Sequence, residues 1–208
     1  NGSWLVPAEN GYSRAVPLRW LPAFTEKSRP QATTPSKEWE AAVAFLVWVK
    51  QQLGAAGRGG QQVLMVADGH YDTLPLWQHL PVGTILLARS ARNRVLWHLP
   101  GSQSRRNRRY GERAPAPAAY WRERKEWRPV QVQVRGKERH LQVKVAGPFL
   151  RKGAPNCPLF LIIVRGKGNA RTRREPLSCL VNASPATSGT WALPIPVERL
   201  LFCACQRG

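Results

Sequence analysis

The chain has 208 residues, 43% of them hydrophobic, which is enough apolar sequence to bury a core and excludes a disordered basic tail. Its 32 Lys and Arg against 12 Asp and Glu give a formal net charge of +20, and a folded chain this basic is expected to bind a polyanion. The longest apolar runs, residues 41–49 and 159–164, are too short for a membrane-spanning helix, so no membrane partner is expected.

The first third of the chain predicts a β-hairpin followed by a helix. Residues 4–7 and 14–24 alternate apolar and polar side chains on either side of Asn10-Gly11, which is typical of two paired strands. Residues 36–53 have helical spacing, with Ser36 as the expected N-cap. The glycine-rich residues 54–60 are read as a connector, because a dinucleotide-binding loop follows a strand and opens a helix, and this one does the reverse.

Two buried strands are predicted next. Residues 62–67 and 83–88 are short, continuous apolar runs, the pattern of strands covered on both faces, and residues 72–79 between them predict a short helix interrupted near Pro75. This order predicts a parallel pair joined by a right-handed crossover.

An acid stands at the end of the first buried strand. Asp68 follows residue 67 directly, and a carboxylate at the carboxyl end of a parallel strand faces the crevice where open α/β sheets bind ligands. Its oxygens suit Mg²⁺, although an Asp-Gly pair equally suits a simple turn. Asp72 is expected to be the N-cap of the next helix rather than a second metal ligand. His70 and Tyr71 lie near this site and could contact substrate or pack.

The second half of the chain is basic and β-rich. Residues 104–109 and 165–174 are Arg-rich runs suited to phosphate contacts without base specificity. Strands are predicted at residues 130–134, 139–146, 159–165 and 177–181, and a last helix at residues 196–206. Aromatic residues lie among the arginines and could stack on unpaired bases, although a place in the core of the sheet is slightly favoured. They are Tyr110, Tyr120, Trp121 and Trp127.

The cysteines and histidines form no recognisable framework. Cys157 and Cys179 stand alone, Cys203 and Cys205 are two residues apart, and no zinc-ligand spacing occurs. We therefore expect reduced thiols in a cytoplasmic protein.

The order of these features resembles a known family. Residues 63–97 (VLMVADGHYDTLPLWQHLPVGTILLARSARNRVLW) resemble the segment around the middle aspartate of bacterial insertion-sequence transposases with an acidic (DDE) triad. There a strand ends in Ala-Asp-x-x-Tyr, and a helix and a second strand lead to an Arg-rich segment. Residues 14–24 resemble an early strand of that family, residues 143–168 its β-rich insertion, and residues 193–208 the helix that approaches the third acid.

The resemblance implies a fold of the α/β class, with a ribonuclease H-like mixed sheet flanked by helices and a mostly antiparallel β-rich insertion. Residues 1–94 would form a partial catalytic core, residues 95–190 the basic insertion and residues 191–208 the start of the returning core helix. The resemblance also implies that the sequence is truncated at both ends, after the first acid and before the third. Glu198 lies two to three helical turns too early to be that third acid.

By the same resemblance, Asp68 would be the catalytic second acid and a ligand of Mg²⁺ or Mn²⁺ in the full-length parent. The parent would cut and join transposon ends and target DNA by two-metal phosphodiester chemistry. It could act as a homodimer and would associate with the nucleoid, whereas this chain alone is expected to be inactive. The expected DNA-binding residues are Arg89, Arg92, Arg94, Arg105, Arg106, Arg108, Arg109, Lys167, Arg171, Arg173 and Arg174.

Two other functions remain open from the residues. The chain could be a non-catalytic basic DNA-binding module in which Asp68 is structural. It could also belong to a metal-dependent nuclease on the same fold, since hydrolysis and strand transfer use the same metal chemistry.

Overall fold

The computed structural model describes residues 2–7, 13–22, 27–28, 31, 35, 37–101, 108–134, 136–166, 177–185 and 190–205. The helices in these ranges are α1 (Glu38–Ala55), α2 (Leu74–Gln78), α3 (Pro117–Arg122) and α4 (Val197–Cys205), with a 3₁₀ helix at Gly69–Tyr71. The strands are β1 (Gly2–Pro7), β2 (Ser13–Arg19), β3 (Val63–Ala67), β4 (Thr84–Arg89), β5 (Trp97–His98), β6 (Arg128–Val134), β7 (Lys137–Arg151), β8 (Ala154–Gly166), β9 (Leu177–Asn182), β10 (Ser184–Pro185) and β11 (Trp191–Ala192).

One seven-stranded mixed sheet organises most of the chain. Its order is β3-β4-β9-β8-β7-β5, with β6 pairing β7, and two small hairpins, β1-β2 and β10-β11, stand apart from it. Strands β3 and β4 are parallel, as predicted, and all other pairs are antiparallel. The chain is therefore of mixed α/β class and rich in strand.

The sheet is buried on both faces. In β4, Leu86 and Ala88 belong to one core cluster, which also contains Trp77 of α2. Ile85 and Leu87 belong to a second cluster, which contains Leu200 and Leu201 of α4. Because successive side chains of a strand point to opposite faces, the continuous apolar run of β4 fills both clusters at once.

The four strands predicted in the second half are present, and three of them are clearly longer than predicted. Strand β9 pairs with β4, with Ala88 opposite Leu180. The predicted core and the β-rich stretch therefore contribute to one continuous sheet. A bulge between Ala146 and Phe149 divides β7, which pairs with β6 on its first half and β5 on its second. Strands β6 and β5 therefore lie one after the other along the same edge of β7.

The predicted amino-terminal hairpin and helix are both present, but β2 is shorter than the predicted strand 14–24, since it ends at Arg19 and residues 20–22 are not in a strand. Strands β1 and β2 pair in antiparallel register, with Trp4 opposite Val16. Helix α1 carries Glu38 and Glu40 in its first turn, and the backbone N–H of Lys37 donates to Oε2 of Glu40 at 3.3 Å. The predicted turn at Asn10-Gly11 lies outside the described residues. The predicted N-cap Ser36 is wrong, because α1 begins one residue later than expected and its N-cap is Lys37.

Helix α2 is shorter than predicted and begins near its proline. Pro75 lies in the first turn of α2, where the missing N–H costs no helical hydrogen bond. Among the described residues, no helix has the length and apolar character needed to cross a membrane. Cys157 and Cys179 are not in disulfide bonds, and burial raises the pKa of Cys157 to about 11.

Candidate active site at the carboxyl end of the parallel strands

Asp68 lies exposed at the carboxyl end of β3, as the sequence predicts. It is the N-cap of the following 3₁₀ helix, where its Oδ1 accepts the backbone N–H of His70 at 3.0 Å. This hydrogen bond is the turn contact expected for an Asp-Gly pair, and it also fixes the direction of the Asp68 side chain. Oδ1 has a second lone pair, and Oδ2 is not used by this cap. The carboxylate can therefore cap the turn and still bind a cation.

Arg89 lies beside Asp68 at the same end of the sheet. The parallel register pairs Ala67 with Ala88, so Asp68 and Arg89 are the next residues of the two strands at this edge. The side chain of Arg89 is exposed. An acid that can bind a cation and a guanidinium that can bind a phosphate therefore emerge from neighbouring strands.

The loop that carries Asp68 is anchored by a buried carboxylate four residues later. The side chain of Asp72 is completely buried and forms ion pairs with Arg94 at Oδ2 and with Arg151 at Oδ1, the latter at 2.8 Å. Oδ1 also accepts the indole N–H of Trp77 at 2.9 Å, and Oδ2 accepts the hydroxyl of Ser90 at 3.1 Å. A buried charge needs this number of partners to offset its lost hydration.

These contacts join distant parts of the sheet to the β3-α2 loop. Ser90 directly follows β4, Arg94 lies in the next turn, and Arg151 ends β7. Both guanidinium groups also donate to the backbone carbonyl of Asp72, each at 3.3 Å. Burial lowers the pKa of Arg151, and the carboxylate of Asp72 opposes that shift. The ion-pair cluster therefore fixes the backbone that presents Asp68.

Two sequence interpretations change at this cluster. Asp72 is not the N-cap of α2, because Thr73 occupies that position and Asp72 points into the core instead. Arg94, expected to contact DNA, turns inward to Asp72 and keeps only 27% of its side chain exposed. The sequence did not predict that Asp72 is bound by Ser90, Arg94 and Arg151. The local pattern indicated a helix N-cap for Asp72, and an N-cap residue needs no such partners.

The remaining predicted DNA-binding residues divide into two groups. Arg89, Arg92, Arg108 and Arg109 are exposed, and the Nε of Arg108 donates to the carbonyl of Tyr110 at 3.1 Å. The others lie outside the described residues and are Arg105, Arg106, Lys167, Arg171, Arg173 and Arg174.

His70, next to Asp68, contacts the start of α1. Its Nε2 lies 2.7 Å from Oε2 of Glu38, and both side chains are more than half exposed. Tyr71 packs partly buried against the first core cluster. Glu198 is exposed in the first turn of α4, the helix whose leucines fill the second cluster. Within the described ranges, no three His, Cys, Asp or Glu side chains converge to hold a metal ion.

The aromatic residues among the basic segments are held mainly by packing. Tyr120 and Trp127 lie against the first core cluster. The guanidinium of Arg165 lies 3.8 Å from the ring centroid of Trp127, and the ammonium of Lys144 lies 5.4 Å from it. Lys144 is buried and pairs with Glu123 at 2.9 Å. This arrangement favours the packing alternative for Tyr120 and Trp127, since cations already cover the ring of Trp127.

The chain matches no family model, no curated protein sequence and no solved structure.

Proposed function

We propose that this chain is part of an acidic-triad transposase on a ribonuclease H-like core, in which Asp68 is one of the metal-binding acids. The observation that carries the proposal is the position of Asp68, exposed at the carboxyl end of a parallel strand beside the exposed Arg89. Open α/β sheets bind their ligands at this end of the strands. The proposed partners are DNA and a second subunit of the full-length protein.

The charge of the chain supports DNA as the ligand. A net charge of +20 opposes folding by self-repulsion, and a phosphate backbone relieves it. Arg89, Arg92, Arg108 and Arg109 offer guanidinium groups to phosphates without reading bases. The carboxylate of Asp68 would repel a nearby phosphate, and a divalent cation bound between the two would replace that repulsion by attraction. This connects Asp68 to Mg²⁺ or Mn²⁺ in the proposal.

Asp68 fits a hard divalent cation as one ligand of several. Mg²⁺ binds to one or two carboxylates and completes its shell with water and substrate phosphates. Such ions, when bound, neutralise charge on a phosphodiester during in-line attack. Among the described residues, Asp68 is the acid at the carboxyl ends of β3 and β4 that forms no ion pair, whereas the nearby Asp72 is paired with two arginines. We therefore assign Asp68 one share of the metal site.

The other residues of the site either position Asp68 or bind the DNA backbone. The Asp72 cluster holds the loop rigidly, so the direction of the Asp68 carboxylate is set before DNA arrives. The exposed arginines would hold the DNA backbone over this edge of the sheet. The ion pair between Arg94 and Asp72 gives Arg94 a positioning role in this proposal rather than a DNA contact.

A non-catalytic DNA-binding module is the second candidate. The observation that favours it is that no group of three metal-ligating side chains converges in the described part of the chain. In that case Asp68 would only cap the 3₁₀ helix, and its negative charge would weaken DNA binding whether or not a divalent ion is present.

Duplex-DNA affinity of wild type and Asp68→Asn, measured with EDTA and with Mn²⁺, tests the proposal. Asn also caps a helix, so the local structure should persist. In EDTA we expect the variant to bind about five-fold more tightly, since removing one charge about 4 Å from a phosphate gains roughly 1 kcal/mol in water. With Mn²⁺ we expect wild type to bind at least as tightly as the variant.

Glu112→Gln is the matched control, because Glu112 is an exposed acid outside the β3-β4 edge. It removes the same charge and should raise affinity by a similar factor with and without Mn²⁺. If Asp68→Asn behaves like Glu112→Gln in both buffers, the metal-binding role of Asp68 is wrong and the non-catalytic candidate stands.

A further inference from the structure

Strand β6 and the first half of β7 form a two-stranded ribbon at the end of the sheet that carries Asp68. One row of paired residues crosses five strands and identifies this end. The row consists of Ala67, Ala88, Leu180, Leu161 and Ala146. Asp68 follows the row in β3, and β7 extends from the row in the same direction through its first nine residues, which begin at Lys137. The ribbon therefore projects from the end of the sheet where Asp68 and Arg89 emerge.

One face of the ribbon is anchored in the protein core. Val130 and Val132 of β6 are buried in the second core cluster, together with Leu200 and Leu201 of α4. Successive side chains of a strand point to opposite faces, so the glutamines that alternate with these valines point away from α4. Helix α4 thus supports the ribbon from behind and leaves its other face to solvent.

The outward face carries four exposed side chains that form hydrogen bonds, and we call it the polar face. Gln131 pairs across the strands with His140, and Gln133 pairs with Glu138. The Nε2 of His140 lies 3.8 Å from Oε1 of Glu138. Gln131 and His140 also line a hollow of about 320 Å³. The polar face therefore offers separate donors and acceptors beside an open space.

Side-chain contacts fix the base of the polar face. The Nε of Arg165 donates to Oε1 of Gln142 at 2.8 Å, and its guanidinium covers the ring of Trp127. Gln142 lines the same hollow as Gln131 and His140. The polar face therefore begins at a rigid end, which limits the freedom that its side chains lose when they bind a ligand.

The chemistry of the polar face suits base edges rather than phosphates. Phosphates would repel the carboxylate of Glu138, but a carboxylate can accept the N4 amino group of cytosine. A glutamine amide can bind N6 and N7 of adenine with two hydrogen bonds. Lys137 and Arg139 are exposed near the end of the ribbon and add the positive charge that attracts DNA.

We propose that the β6-β7 ribbon enters the major groove of duplex DNA and reads base edges through its polar face. Two strands about 4.8 Å apart form a ribbon that fits a groove about 12 Å wide. Gln131 and Gln133 lie about 6.7 Å apart along β6, which matches two base-pair steps of about 3.4 Å each. This inference rests on the proposed DNA binding and adds a base preference to the phosphate contacts.

Selection from a library of duplexes with about ten randomised base pairs tests the proposal. The protein is used in EDTA, so that any role of Asp68 in binding metal does not affect the result. We expect wild type to enrich adenine at two positions that lie two base pairs apart. The enrichment over each other base should be at least about five-fold, since a bidentate contact discriminates by this factor or more.

Variants of the two glutamines assign the positions. Gln131→Ala should remove the preference at one position, and Gln133→Ala should remove it at the other. Gln131→Glu should replace adenine by cytosine, because a carboxylate accepts hydrogen bonds and donates none. Gln51→Ala is the matched control, since Gln51 is an exposed glutamine of α1, and it should select the wild-type sequence. Unchanged tryptophan fluorescence verifies that the variants are folded.

Modified bases identify the groove. Replacing a selected adenine by 7-deazaadenine removes its N7 acceptor from the major groove. We expect wild type to bind this duplex at least about five-fold more weakly, whereas the alanine variant that has lost the preference at that position should bind both duplexes equally. Replacement by 2-aminoadenine changes the minor groove alone and should leave the affinity of wild type unchanged.

The outcomes separate this proposal from the proposed function. Equal binding of all duplexes would overturn the role of the ribbon and leave the proposed function intact, whereas no binding of any duplex would overturn both. A base preference that persists in Gln131→Ala and Gln133→Ala would also overturn the role of the ribbon. Equally tight binding of duplex RNA would do the same, because side chains cannot read the deep, narrow major groove of RNA.

Discussion

Replacing Asp72 with Asn should lower the free energy of unfolding by about 3–5 kcal/mol, the range found when one member of a buried ion pair is removed. The variant keeps the size of the side chain but leaves two guanidinium groups without their counter-charge. Arg94 and Arg151 are only 27% and 12% exposed, so water cannot replace the lost carboxylate well. The two cations would also repel each other. Urea unfolding followed by tryptophan fluorescence measures this change.

Asp68→Asn is the control for this experiment, because it makes the same chemical change four residues away at an exposed position. It retains the cap on the 3₁₀ helix and should change stability by no more than about 0.5 kcal/mol. Losses of similar size in the two variants would contradict the structural role assigned to Asp72.

Duplex-DNA affinity should fall by about 10³–10⁵ between roughly 50 and 200 mM salt, as it does when six to ten phosphates are contacted. The reason is the release of counterions that arginines displace from the DNA. The slope of log affinity against log salt, measured by fluorescence anisotropy, counts those contacts. Arg89→Ala should reduce the magnitude of that slope by about one.

Arg199→Ala is the matched control for the salt experiment. Arg199 is exposed on α4, which packs on the second core cluster, rather than at the ends of β3 and β4. Its removal should leave the slope nearly unchanged. An affinity that does not depend on salt, or an equal effect of the two substitutions, would contradict a DNA-binding surface at the strand ends.

The elements with strong local patterns could be predicted from the sequence. The apolar run of β4 requires cover on both faces, and the spacing in α1 gives one buried side, so both elements appear close to their predicted places. Asp68 could be located for the same reason, since it is fixed by the end of β3. These features depend on neighbours in the chain.

The ion-pair cluster and the continuous sheet could not be predicted in this way. Asp72 pairs with Arg151, which lies 79 residues away along the chain. No local sequence pattern distinguishes an acid that caps a helix from an acid that is buried in an ion pair. Likewise, β9 follows β4 by almost ninety residues, yet the two strands pair. Long-range pairing of this kind depends on which apolar faces meet in the folded chain.

The central claim, that Asp68 holds a divalent ion against a DNA phosphate, is tested most directly by iron-mediated cleavage of the polypeptide. Fe²⁺ replaces Mg²⁺ or Mn²⁺, and ascorbate with peroxide produces radicals that cut the backbone close to the bound ion. We predict DNA-dependent cuts within a few residues of position 68 in wild type and in Glu112→Gln, and their loss in Asp68→Asn. Identical cutting in Asp68→Asn, or cutting only elsewhere in the chain, would contradict the claim.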